Sequence, residues 1–282
     1  MAIRTTAVLL LMALILGCRD DKNDSDTGGE DSSGDSESTE VDDTSPDASI
    51  PDEVDTVDPG IIAKVYAHSA TTLYQVDPDT LALSEVGPFA WPEGLEDEQM
   101  TDIAIDADRN MIGVSYGRVF SVDKATAECT YLADLSGNFN GLSFVEGDET
   151  TLVGATLAGE WFTLDMETGA STLIGTYGDE MASSGDIVYI RDAGAYATVK
   201  HPDYDTNLLV MVEPSTGEAA IIGETGFIEI WGVGYWGGQI FGFTKSGEFI
   251  LIDAETGAGE LVETLDASFW GAGVTTIAPI LV

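Results

Sequence analysis

Basic residues are what this sequence lacks most. Ten Lys and Arg stand against 51 Asp and Glu, a formal net charge of −41. That balance excludes nucleic acid as a partner, because phosphate binding needs clustered Lys and Arg. It also disfavours docking on an anionic lipid surface through a basic patch. Cysteine is nearly absent: the chain holds 2, Cys18 and Cys129. Histidine is as scarce, at His68 and His201. No motif pairs a nucleophile with a base, and no metal-cluster spacing occurs, so a linear reading finds no catalytic constellation. Carboxylates converging from separate segments are the one arrangement such a reading leaves open. Long apolar runs are missing too. The run from Ala7 to Gly17 is shorter than the ~20 residues a bilayer-spanning helix needs.

That run has a context. It follows Arg4, a positive n-region, and ends in "ILGC". The segment resembles the lipobox of bacterial lipoproteins, with Gly17 before the cleavage site and Cys18 as the lipidated residue, although Ile15 stands where that family usually has Leu. The resemblance implies a signal peptide over residues 1–17 and a multiply acylated Cys18 anchored in a membrane. Asp after the cysteine would imply inner-membrane retention. Arg19 stands there, which implies the outer membrane or cell surface. The simpler alternative is a secretory signal with a chance cysteine.

Residues 18–60 follow as a linker. Its stretch 19–60 carries 16 acids, two bases and no aromatic residue. Such a segment buries too little apolar surface to offset its ordering entropy and is expected to be a disordered tether, roughly 35 Å or more in coil dimension. The remaining domain, residues 61–282, keeps 35 acids and 7 bases, a charge of −28.

What the domain does have is a repeat. Five acids, Asp77, Asp123, Asp165, Glu213 and Asp253, each precede a Thr by three residues. Their spacings are 46, 42, 48 and 40. A period in the forties with short alternating strands is the signature of propeller blades. Before each acid lies a strand such as "FTLD", and after the Thr an apolar pair such as "TLIG". Upstream, a small residue recurs at Ala67, Gly113, Gly154, Ala197 and Gly242. Earlier still lies a column begun by "TDIAID", "NGLSFV", "SGDIVY" and "WGVGYW". The first unit lacks this early strand, and the chain ends in "WGAGVTTIAPILV", which matches it. The pattern predicts an all-β fold: a five-bladed β-propeller of four-stranded antiparallel blades, the C-terminal strand closing the first blade. An open double-sheet sandwich is the competitor. The acid and Thr read as a tight turn between strands three and four, where Asp bonds backbone N–H groups and Gly supplies positive φ. A catalytic role fits poorly, because the element recurs in every unit without a second carboxylate.

These units resemble the Asp-x-x-Thr-Gly repeats of quinoprotein-like and related bacterial β-propellers over residues 61–277. The positions where that family places a docking Trp are apolar or small here, as in "TGASTLIG". The resemblance therefore implies the fold and not the cofactor.

In such a ring the face opposite the acid turns gathers the blade connections. Residues leading into the inner strands there are Thr101, Asn140, Ser184, Trp231 and Trp270. The next column is Asp102, Gly141, Gly185, Gly232 and Gly271, four glycines broken by one acid. Trp231 and Trp270 are expected either as an aromatic platform for a sugar or partner side chain, or as packing between blades. The connection 88–100 carries Trp91 and is read as a lid or protein-contact loop, or as a solvated loop with one packed Trp. "DADRN" places Asp106, Asp108 and Asn110 at calcium-loop spacing, but the later Gly and Glu of that loop are missing, so a turn is the simpler reading. His201, Asp203 and Asp205 sit together in a surface loop; His68 and Cys129 fall in strand columns and read as packing. No cofactor is predicted beyond possible calcium. The function expected is a monomeric, lipid-anchored, non-enzymatic module binding a protein or glycan at Trp91, Asp102, Asn140, Trp231 and Trp270. The alternative is an extracellular carbohydrate-active hydrolase or lyase, with Asp102 as first acid.

Overall fold

The computed structural model describes residues 64–147 and 149–280; the signal segment, Cys18 and the acidic tether lie outside the described residues. Every regular element described is a strand. Blade 1 holds β1 (Val65–His68), β2 (Thr72–Val76) and β3 (Leu83–Pro88). Blade 2 holds β4 (Asp102–Ile105), β5 (Met111–Val114), β6 (Arg118–Val122) and β7 (Cys129–Asp134). Blade 3 holds β8 (Gly141–Glu146), β9 (Thr150–Ala155), β10 (Glu160–Leu164) and β11 (Ser171–Thr176). Blade 4 holds β12 (Ala182–Ile190), β13 (Gly194–Lys200), β14 (Leu208–Val212) and β15 (Ala219–Glu224). Blade 5 holds β16 (Ile230–Trp236), β17 (Gln239–Thr244), β18 (Glu248–Asp253) and β19 (Gly259–Thr264). The last strand, β20 (Gly271–Gly273), pairs antiparallel with β1 and completes blade 1 as its innermost strand. The five-bladed, four-stranded architecture read from the repeat is therefore the observed one.

The strand sequences explain their radial order. Inner strands such as β4 and β5 are buried at every position, since blades pack on both of their faces. Their sequences, "DIAI" and "MIGV", are near-continuous apolar runs instead of alternating ones. Outer strands β3, β11 and β15 mix half-buried and exposed positions. Each outer pair carries one register shift at an equivalent place, for example between Trp161 and Phe162 and between Phe249 and Ile250. Such a bulge bends and twists the outer strand, which suits the rim of a ring.

The acid turns are the repeated local device. Asp165 Oδ1 accepts from the N–H groups of Glu167 and Thr168, both at 2.9 Å, and Asp253 Oδ1 accepts from Glu255 at 3.0 Å and Thr256 at 2.7 Å. Asp77 and Asp123 repeat the pattern, and Glu213 accepts from Ser215. Backbone N–H donors hold the carboxyls of Asp77 and Asp165 below their ordinary range, and the hydroxyls of Ser215 and Thr256, with the N–H groups second, do so for Glu213 and Asp253. Four residues after the acid the chain turns through positive φ: Gly169 (68°), Gly217 (76°) and Gly257 (77°), with Leu81 (58°) and Ala127 (59°) in the first two blades.

Ties to three further blades close the ring. The segment after β20 crosses the face that carries these turns. Thr275 bridges to Ile105 and donates to the Asp106 carbonyl, Arg191 N–H donates to the Thr276 carbonyl, and Gly237 N–H donates to that of Pro279. Blades 2, 4 and 5 are thus joined to the segment that ends blade 1. Cys129 packs inside the blade 1–2 core. Burial, and next the charge of Glu128, push its thiol up to about 12, so it is inert as a nucleophile.

Candidate functional site

The ring's open end is built by the column that leads into the inner strands. Thr101, Asn140, Ser184, Trp231 and Trp270, one from each blade, all line a single cavity of about 710 Å³ at the channel mouth. Loops between the second and third strands raise its walls: Tyr116 from blade 2, Thr156, Leu157 and Ala158 from blade 3, Lys200 from blade 4 and Lys245 from blade 5. Three aromatic rings form a corner. Trp270 meets Trp231 edge-to-face at 6.2 Å and Tyr116 edge-to-face at 6.4 Å. Both tryptophans are half-buried, so they form wall and not core. The Lys245 ammonium sits 4.6 Å above the Trp231 ring and 3.5 Å from Glu229. Asn140 donates from Nδ2 to Ser183 Oγ at 3.2 Å, while its buried Oδ1 has no partner.

Beneath the mouth the glycine column brings the backbones together at the axis. A Cβ on Gly185 would stand 2.4 Å from Trp231 Cα, one on Gly232 2.7 Å from the Gly271 carbonyl carbon, and one on Gly141 2.8 Å from the Gly185 carbonyl oxygen. Asp102 occupies the fifth position, and its carboxyl fills the space against Gly271. Sequence reasoning picked out Asp102 but missed its partner. Asp186 follows Gly185 in the next column, where the other blades carry Ile103, Leu142, Val233 and Ala272. One acid in an apolar column was the available signal.

The two carboxyls are fully buried and close enough to perturb each other's titration. The inner strands are sheet edges, so their N–H groups face the axis unpaired. The acids satisfy them. Asp186 Oδ1 accepts from Ile187 at 2.6 Å, and its Oδ2 accepts from Val233 and Ala272, both at 2.9 Å. Asp102 Oδ1 accepts from Ile103 at 2.8 Å. Blades 1, 2, 4 and 5 thus donate to one acid pair. Burial raises Asp102 well above the ordinary carboxylate range, and the Asp186 charge adds to this. Asp186 is pushed up to about 7 by burial, against the hydrogen bonds it accepts. The proton is therefore held more readily on Asp102, whose buried Oδ2 accepts no hydrogen bond, than on Asp186.

His68 completes the axial group. Its Nε2 lies 3.7 Å from Asp102 Oδ1, but burial lowers its pKa to about 4, so the ring is neutral and no ion pair forms. Its Nδ1 bonds the Ser69 carbonyl at 2.8 Å. His68 is thus a packed ring beside the acids.

The other expected site residues lie elsewhere. Trp91 does not reach the mouth: it packs between Phe89, at 5.5 Å, and Phe120, at 5.1 Å, in the blade 1–2 core. Its segment is fixed there by the pairing of Ala90 with Glu128. Asp106 directs both carboxylate oxygens to Asn110, accepting from its N–H at 2.7 Å and its side-chain amide at 2.9 Å. Asp106 to Asn110 therefore form a self-satisfied turn between β4 and β5. His201 Nδ1 accepts from the Asp203 N–H at 3.2 Å. Among the described residues, no three His, Cys, Asp or Glu side chains converge as a metal group. A larger groove of about 1130 Å³ runs between blades 3 and 4, lined by Glu146, Glu149, Glu213 and Glu218 among others. None of the residues that lead into the inner strands reaches it, so it lies off the axis.

Fold and site together define a five-bladed β-propeller with an aromatic-walled mouth above a sealed acid pair. No protein-family model matches the sequence and no curated protein matches it. Among solved structures, a chain from the crystal structure of a nidogen/laminin complex superposes with a TM-score of 0.50 at 12% identity, covering 78% of this chain and 100% of that one. A protein of unknown function from Bacteroides caccae gives a TM-score of 0.42 at 7% identity, covering 73% of this chain and 74% of that one. At 12% identity the likeness to the nidogen/laminin-complex chain bears on the fold alone.

Proposed function

We propose that the chain is a non-enzymatic binding module, tethered outside the cytoplasm through a lipidated Cys18, whose channel mouth receives a saccharide ring. One observation carries this reading: the five residues that lead into the inner strands meet in a single concave site with an exposed corner of three aromatic rings. A volume of about 710 Å³ suits a small ligand, for which pockets run about 300–1,000 Å³. A protein surface would more often meet a flat patch. Indole and phenol faces pack against the C–H face of a pyranose, and polar groups around them take its hydroxyls.

The hydrolase reading asks for two carboxyls within reach of substrate. Asp102 and Asp186 face each other, but both are fully buried and occupied by backbone N–H groups. Glu160 lines the mouth, but accepts from Thr156 Oγ1 at 3.0 Å and has no second acid beside it among the mouth residues. These arrangements favour binding over turnover.

Trp270→Ala is expected to lower affinity for a bound oligosaccharide at least ~10-fold while leaving the melting temperature within a few degrees, since this ring is a central contact and not core. Titration calorimetry against a glycan identified by array screening checks it. Undiminished affinity in this variant would remove the mouth as the binding surface.

A further inference from the structure

The saccharide reading can be narrowed by charge. Among the described residues the domain has seven Lys and Arg, and two of them, Lys200 and Lys245, line the mouth. In so acidic a domain this is a local concentration of cations on adjacent blades, on the same side of the mouth as the aromatic corner. Lys245 is not free to wander: its ammonium is held over the Trp231 ring and near Glu229. An ammonium resting on an indole face is fixed beside the position a stacked ring would take. Lys200 ends β13 on the neighbouring blade 4, is exposed, and makes no ion pair among the described residues.

We infer that the ligand of the mouth is an acidic saccharide, a sugar whose ring stacks on Trp270 and whose carboxylate is taken by Lys245 and Lys200. This rests on the saccharide reading given above. The acidic exterior contributes too. A domain of this charge repels polyanions in general, so an anionic ligand must be recognised at close range by placed cations and not by long-range attraction. Recognition would then be selective for a short acidic unit and not for polyanions as a class.

The test pairs each acidic oligosaccharide on an array with its neutral counterpart, made by reducing the carboxylates to hydroxymethyl groups. The full chain is expected to prefer an acidic member by about ten-fold or more, the effect of a charge-assisted hydrogen bond. Lys200→Gln and Lys245→Gln should each erase most of that preference. Both lysines are exposed enough that neither change threatens folding. Equal binding of acidic and neutral members would overturn the inference and leave the saccharide reading intact. Binding of neither, with the wild-type chain folded, would overturn both.

Discussion

Replacing Asp186 by Ala should lower the melting temperature by about 10 °C, the largest effect expected of any single side chain in the domain. The substitution leaves three buried N–H groups, from Ile187, Val233 and Ala272, without acceptors. Each costs about 1–3 kcal/mol, and blades 4, 5 and 1 lose their shared tie. A total on the order of 4 kcal/mol converts to about 8–16 °C in a domain of this size. Asp102→Asn should behave differently. Asn keeps the shape and a donor towards Asp186, so the loss at neutral pH should be small. The pH dependence separates the two roles. Both acids have raised folded-state pKa values, so the native state binds more protons than the unfolded chain between the ordinary carboxylate range and about 7. Stability from the pair is fully present below pH ~4 and is lost as pH rises through about 7. Melting temperature should therefore fall from pH 5 to pH 9 in the wild type, and that slope should flatten in Asp102→Asn. A melting temperature of Asp186→Ala within 2 °C of wild type, roughly half a kcal/mol, would show that the pair does not hold the axis.

Gly185→Ala should be nearly as damaging, by a different route. Its Cβ would stand 2.4 Å from Trp231 Cα, 2.6 Å from the Trp231 carbonyl oxygen and 2.8 Å from that of Ile230. These are backbone atoms and cannot rotate away, so blades 4 and 5 must part. Overpacking in a relaxed core costs about 1–3 kcal/mol, and this contact belongs at or above the top of that range. Because the clash falls on Trp231, saccharide binding should be lost together with stability. Gly117→Ala is the matched control: nothing lies within 4 Å of its Cβ, and its φ is not in the left-handed region. It should melt like the wild type. If the two alanine variants melt alike, the axial crowding is not what selects glycine there.

The parts of the fold that show in the sequence are those in which each blade repeats one local solution. An acid that accepts local N–H groups recurs every 40 to 48 residues, so five turns announce five blades. The same register predicts which residues lead into the inner strands, and therefore the cavity lining at Asn140, Trp231 and Trp270. Asp102 stood out because it interrupts glycines. Asp186 was hidden because its role depends on N–H groups delivered by three blades, Val233 and Ala272 among them, which no local pattern reports. Trp91 was misplaced for a related reason. A long connection and an exposed-looking sequence do not say that Phe89 and Phe120 will take the ring between them. The oxygens of Asp106 and Asn110 have the spacing of a cation loop, yet the same spacing lets Asp106 bond Asn110 twice within a turn.

The five tryptophans provide the most direct test of the central claim, that the propeller binds through its channel mouth. Trp231 and Trp270 line the cavity, Trp161 is buried with its indole N–H on the Pro214 carbonyl, Trp91 packs in the blade 1–2 core, and Trp236 lies at the other end of β16. An indole N–H spectrum of the full chain, recorded with and without an acidic oligosaccharide selected on the array, reads all five at once. The account predicts that the resonances of Trp231 and Trp270 shift on binding while those of Trp91, Trp161 and Trp236 stay in place. Shifts confined to Trp91 or Trp236, with the mouth pair unmoved by a bound ligand, would contradict it.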